Sequence, residues 1–173
     1  MQSRALGFAV IITAVTAIAV TALPWFNLNS FGLQAHWNGL GLGNISHDEL
    51  DVAPNGRGWL IVGASAFAIL AALAAFLTAP SARPIARLMA GLAAIGATAA
   101  SLVPIAIMIW PSWYFGSFQQ DLGMTNIPLE VSNVILVALI VILLVLAVLC
   151  AALFVERTED HPIGERPARP SKI

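Results

Sequence analysis

Ionisable side chains are missing from four long stretches of this chain, near residues 5–23, 59–79, 88–110 and 131–155. None of the four contains Asp, Glu, Lys, Arg or His. Each is long enough to cross a bilayer, which takes about 20 apolar residues. Pumps, ion channels and secondary transporters usually keep ionisable residues inside their spans, so this absence argues against those classes. The pattern predicts an all-α membrane protein with four transmembrane helices.

Several kinds of chemistry also lack their residues. The single cysteine, Cys150, excludes a disulfide within one copy. The histidines, His36, His47 and His161, all fall outside the apolar stretches and cannot ligate a haem inside them. No grouping of Ser, His and an acid suggests nucleophilic catalysis. We expect a protein that is not an enzyme and has no cofactor and no nucleic-acid partner.

All basic residues except Arg57 lie in the connections that alternate with those holding the tryptophans. These basic residues lie before the first stretch, between the second and third, and after the fourth. They are Arg4, Arg83, Arg87, Arg157, Arg166, Arg169 and Lys172. Because positive residues mark the cytoplasmic side, both termini are expected in the cytoplasm. Seven arginines to one lysine, with abundant alanine, point to a high-GC bacterium and its plasma membrane. Residues 1–155 then form the membrane domain and 156–173 a polar cytoplasmic tail.

The outer connections are rich in aromatic residues, whereas the cytoplasmic ends have no Trp or Tyr. Aromatic belts normally occur at both membrane interfaces, so the imbalance favours an outer cap or a protein contact surface over lipid anchoring alone. The expected cap lies on the outer ends of the helices. Its candidate partner-binding residues are Trp25, Phe26, Trp37, Trp59, Trp110, Trp113, Tyr114 and Phe115.

Small residues predict how the helices pack. Because the connection at 80–87 is short, the second and third helices should be antiparallel neighbours. Small side chains recur along both at three to four residues and allow close approach. The predicted packing residues are Ala64, Ala68, Ala72, Gly91, Gly96 and Ala100. The fourth helix is bulky and apolar all round, which predicts contact with lipid or with another protein's helices.

The densest polar cluster, His47, Asp48, Glu49 and Asp51, lies in the first outer loop. Its oxygen ligands suit a calcium ion, but the alternating spacing and glycine of a calcium loop are missing. A docking site for a basic partner and an ordinary solvated bend remain alternatives.

The junction Ala22-Leu23-Pro24-Trp25-Phe26, followed by a Gly-rich loop with a second Trp, resembles the tryptophan-associated membrane proteins of actinobacteria. The layout also resembles accessory subunits of actinobacterial respiratory supercomplexes, which join a cytochrome bc complex to a terminal oxidase. The resemblance implies a non-catalytic subunit that stabilises a larger membrane complex and contacts membrane lipids. The alternatives are an envelope protein that binds a lipid or isoprenoid between its helices, and an oligomeric transporter or channel.

Overall fold

Helices account for most of the chain in the computed structural model, which describes residues 2–29, 34–44, 56–76, 83–115 and 130–159. The helices are α1 (Gln2–Thr21), α2 (Trp59–Phe76), α3 (Arg83–Ile109), α4 (Pro111–Phe115) and α5 (Asn133–Glu159). Among these described residues, α1, α3 and α5 are long and apolar enough to cross a membrane. Helix α2 is apolar but shorter, so three of the four predicted spans are supported by length and composition.

The observed helix ends differ from the predicted spans at several points. Helix α3 begins at Arg83 and α5 continues to Glu159, because polar residues at the edge of an apolar run can still complete helical turns. The predicted tail therefore starts inside α5, and residues 160–173 lie outside the described part. Pro104 does not end α3, which continues to Ile109.

Four threonine hydroxyl groups within the helices bond to the backbone of their own helix, whereas the buried Ser65 hydroxyl has no hydrogen-bond partner among the described residues. Thr13, Thr16, Thr21 and Thr98 each donate to the carbonyl four residues earlier, at 2.8–2.9 Å. A hydroxyl in an apolar environment needs such a partner, because leaving it unpaired is costly. These threonines are therefore compatible with apolar surroundings.

The four long helices form a closed bundle in which α1 packs on α2, α2 on α3, α3 on α5 and α5 on α1. At one end, the N–H of Gly39 donates to the carbonyl of Thr21 at 3.0 Å, and the N–H of Gly58 donates to the carbonyl of Gly39 at 2.8 Å. At the other end, the rings of Phe8 and Phe76 lie 5.2 Å apart. The second and third helices are thus neighbours, as their short connection predicts, and the bundle alternates up and down.

Buried positions recur at alternating spacings of three and four residues, which is the spacing of left-handed helical bundles. The buried residues that follow this spacing are Val10, Ala14, Ala17 and Thr21 on α1; Ile61, Ser65, Ala68 and Ala72 on α2; Ala86, Ala90, Ala93, Ala97 and Ala100 on α3; and Leu136, Leu139, Leu143, Leu146, Cys150 and Leu153 on α5. Alanines on α3 thus meet leucines on α5 across the most extensive helix contact.

The residues of the predicted small-residue face differ in burial. Ala68, Ala72 and Ala100 are buried and Ala64 is half-buried. Gly91 faces α5, because a Cβ placed there meets the Phe154 ring at 3.2 Å. Gly96 faces no neighbour within 4 Å. The reason is helical geometry, since the buried row of α3 runs through Ala93 and Ala97 and leaves Gly96 beside it.

A small antiparallel sheet corrects the all-α prediction. Its strands are β1 (Pro24–Asn27), β2 (His36–Asn38) and β3 (Glu130–Val131), in the order β2-β1-β3. Phe26 pairs with both Trp37 and Val131, and the register shifts between Pro24 and Phe26. We call the sheet, the turn at 38–44, residues 56–58 and α4 the cap. It closes the bundle end where α1 and α3 finish and α2 and α5 begin.

Candidate functional site

The interior of the cap is built from aromatic residues. Trp25, Phe26, Trp37 and Tyr114 are all less than 5% exposed. The Tyr114 ring stacks on Phe26 at 4.6 Å between centroids and lies 6.2 Å from the ring of Trp25. These four predicted partner-binding residues therefore lie inside the cap, where they join the sheet to α4.

Asn38 organises the turn above these rings. Its side-chain oxygen accepts hydrogen bonds from the N–H groups of Leu40 and Leu42, both at 3.0 Å. Its main-chain carbonyl accepts from the N–H of Gly41 at 3.1 Å and from the hydroxyl of Tyr114. Gly41 has a φ of 81°, a conformation that L side chains rarely adopt, which explains one glycine of the Gly-Leu-Gly-Leu-Gly run.

Burial raises the pKa of the Tyr114 phenol above its ordinary value, and a hydrogen bond with the backbone of Gly41 opposes that rise in part. A neutral phenol is required for the donated bond to Asn38, because a phenolate has no proton to donate. The raised pKa and the hydrogen bond therefore both favour the protonated form. In this arrangement Tyr114 holds the cap together.

The other three tryptophans are exposed on the protein surface. Trp59 at the start of α2 is 60% exposed, Trp110 between α3 and α4 is 66% exposed, and Trp113 in α4 is 39% exposed. The guanidinium of Arg57 lies 4.9 Å from the centre of the Trp113 ring, within range of a cation–π interaction. We call Trp59, Trp110 and Trp113 the exposed tryptophan set. The last predicted contact residue, Phe115, ends α4, and its side chain lies outside the described part.

The proposed cation cluster at His47, Asp48, Glu49 and Asp51 also lies outside the described residues. Within the described ranges, His, Cys, Asp and Glu side chains do not gather in groups of three or more that could hold a metal. His36 is exposed on β2, where its main-chain N–H donates a hydrogen bond to the side-chain oxygen of Asn44 at 2.9 Å.

The sequence analysis missed an open groove on the outside of the bundle, between α3 and α5. Its volume is about 770 Å³. The lining residues are Ala94, Ile95, Thr98, Ala99, Leu144, Ala147, Val148 and Ala151. A signal was present in the sequence, because small residues recur four apart at 94 and 98 on α3 and at 147 and 151 on α5. With no charged residue in its lining, the groove suits a hydrocarbon chain or an apolar helix.

Comparison with known proteins found no matching family profile, curated protein or solved structure. The resemblance at Leu23-Pro24-Trp25 therefore stays a prediction.

Proposed function

We propose that this chain is an integral protein of a bacterial plasma membrane that crosses the bilayer four times, with both termini in the cytoplasm. The bundle supports this because the start of α1 and the end of α5 lie together, opposite the cap. Arg4, Arg83, Arg87 and Arg157 all belong to that uncapped end, as positive residues do on a cytoplasmic side. The 18 residues of α2 extend about 27 Å, close to the thickness of the hydrocarbon core.

Cysteine labelling tests the orientation. Cys150 is buried, so a single added cysteine supplies the accessible thiol. Leu42→Cys changes a cap residue that is 60% exposed, and a membrane-impermeant maleimide should label it in intact cells. Ser3→Cys, near the start of α1, should react only after permeabilisation. The opposite pattern would place the cap in the cytoplasm and overturn the proposed topology.

Within that membrane, the chain acts as a non-catalytic accessory subunit that binds and stabilises a larger membrane protein complex. The observation that carries this function is the exposed tryptophan set, which lies at one end of the bundle while Trp25 and Trp37 are buried there. Tryptophan is enriched among the residues that dominate binding energy at protein interfaces. The resemblance of its layout to accessory subunits of actinobacterial respiratory supercomplexes suggests such a supercomplex as the assembly.

A pull-down of the tagged chain in mild detergent, with mass spectrometry and a visible spectrum of the eluate, tests this function. We expect haem proteins in fixed proportion to the chain. The double variant Trp110→Ala/Trp113→Ala should release them without preventing insertion, whereas Leu88→Ala should retain them. Leu88 is a matched control because it is 64% exposed and lies at the uncapped end. A colourless eluate that contains only this chain and lipid would exclude the respiratory assembly.

The groove between α3 and α5 favours a second candidate, an envelope protein that binds a lipid or isoprenoid. The groove lies between two helices, as this alternative requires, but it opens on the outer face of the bundle. An oligomeric transporter or channel has no comparable observation in its favour within the described part of the chain.

A further inference from the structure

The seam where α3 packs on α5 combines a cation with an apolar channel. At the uncapped end, the guanidinium of Arg87 lies 4.8 Å from the centre of the Phe154 ring. Phe154 also packs on the next turn of α3, where a Cβ on Gly91 would meet its ring at 3.2 Å. The groove begins one turn further along, at Ala94 and Ala151. Cation, ring and groove thus follow one another along a single seam.

The spacing along this seam matches the depth of a lipid monolayer. Ala94 lies about 10 Å along the helix from Arg87, and Ala99 lies about 18 Å from it, at 1.5 Å per residue. One leaflet contributes about 15 Å of hydrocarbon. A headgroup at Arg87 would therefore place the middle and end of an acyl chain in the groove.

Arg87 is available to an anion. Its guanidinium lies over the face of the Phe154 ring, and no hydrogen bond or ion pair to another described residue engages its N–H groups. A long basic side chain at the end of a span reaches toward the headgroups. Glu156, the nearest described acid along α5, is two positions after Phe154 and therefore about 200° around the helix from it. Its Oε2 atom is buried and has no hydrogen-bond partner among the described residues.

We propose that this seam binds one anionic glycerophospholipid of the leaflet at the uncapped end, with its phosphate against Arg87 and an acyl chain in the groove. The groove favours an acyl chain over a partner helix, because its lining on α3 covers less than two helical turns, from Ala94 to Ala99. A packed transmembrane helix would need a longer row of small residues. The site rests on the proposed membrane insertion but not on the accessory role.

Native mass spectrometry of the full chain released from detergent tests the headgroup contact, using phosphatidylglycerol and phosphatidylcholine with identical acyl chains. We expect a one-to-one adduct to form with phosphatidylglycerol at about fivefold lower lipid concentration than with phosphatidylcholine. This is the effect of one basic residue near an anionic lipid. Arg87→Gln should remove that difference. Arg4→Gln, which removes an exposed arginine at the same end, should retain it. Equal adduct formation with the two lipids by the unaltered chain would overturn the proposal.

Filling the groove tests the acyl-chain contact and supplies a second variant should Arg87→Gln fail to fold. Ala99→Leu/Ala151→Leu changes two exposed lining residues and should weaken the adducts of both lipids. Ala138→Leu is the control, because Ala138 is exposed on α5 outside the groove. If the filled variant forms adducts as readily as the unaltered protein, the acyl chain does not lie in the groove. A protein that fails to enter detergent micelles would contradict membrane insertion itself, which is a different failure.

Discussion

The hydroxyl of Tyr114 donates a hydrogen bond to the main-chain carbonyl of Asn38, which lies 76 positions earlier in the chain. The bond joins α4 to the turn that follows β2. The same tyrosine stacks on Phe26 of β1, so one side chain connects three elements of the cap. Because Trp110 directly precedes this short helix and Trp113 lies within it, the position of two members of the exposed tryptophan set depends on the bond.

Replacing Tyr114 by phenylalanine should destabilise the cap while keeping the stacked ring. The carbonyl of Asn38 loses a donor, and leaving a buried acceptor without its partner costs about 1–3 kcal/mol. The free energy of unfolding of the purified protein in detergent measures the effect. Trp110→Phe is the control, since Trp110 is 66% exposed and should contribute little. Equal stability of the two variants would remove Tyr114 from its structural role.

Alkaline titration gives a second view of this residue, because Tyr114 is the only tyrosine in the chain. Burial raises its pKa above the ordinary value of 10.0. Above pH 10.0 the unfolded chain therefore loses the phenol proton while the folded chain keeps it. Stability is fully present below that pH and falls above it by up to about 1.4 kcal/mol per pH unit. Phenolate absorbance should appear only well above pH 10.0, and an ordinary titration curve would contradict the buried bond.

Two glycines make a matched pair for the close packing inside the cap. A Cβ on Gly39 would overlap the ring of Trp25, which is fully buried. Gly39→Ala should therefore cost about 1–3 kcal/mol of unfolding free energy, as other forced overpacking does. Gly63 on α2 has nothing within 4 Å of the same position. Gly63→Ala should be neutral or gain up to about 1 kcal/mol from helix propensity.

The helices were predictable from the sequence because their signal is local: long runs without charge between polar connections. Their buried faces were less so, and α5 shows why. Most of its leucines point inward, with Leu139 and Leu143 fully buried, whereas Leu144 is 46%, Val134 is 83% and Val148 is 68% exposed. Both residue types are strongly apolar, so no contrast between polar and apolar positions marks the inner face. Packing shape divides them, and shape depends on the neighbouring helix.

The sheet was even harder to predict from the sequence than the buried helix faces. Strands of two to four residues are too short to display an alternating pattern, and the irregular register between Pro24 and Phe26 allows consecutive Trp25 and Phe26 both to be buried. The sequence did place all the tryptophans at one end of the bundle. It could not separate buried from exposed ones, because that division depends on contacts as distant as Tyr114 with Asn38.

The alanine row of α2 offers a test of bundle packing. Ala68 is fully buried, so Ala68→Leu should force α2 away from its neighbours and cost about 1–3 kcal/mol. Ala66 is exposed on the same helix, and Ala66→Leu should change stability by less than about 0.5 kcal/mol. Unfolding of the two variants in the same detergent compares them directly. Similar values would mean that α2 does not present this face to the bundle.

The burial of Trp37 separates structural from partner-binding tryptophans by experiment. Trp37 is 4% exposed and pairs with Phe26 across the sheet, so Trp37→Ala should lower the stability of the isolated protein by about 3–5 kcal/mol. Trp110→Ala should leave the isolated protein within about 0.5 kcal/mol of the unaltered chain. If Trp110 contacts a partner, the same change should weaken retention of the complex in the pull-down. Loss of retention with no loss of stability identifies a contact residue, whereas loss of both, as expected for Trp37→Ala, identifies a structural one. A Trp110→Ala variant that keeps both would exclude this residue from the contact surface and leave Trp59 and Trp113 as its remaining candidates.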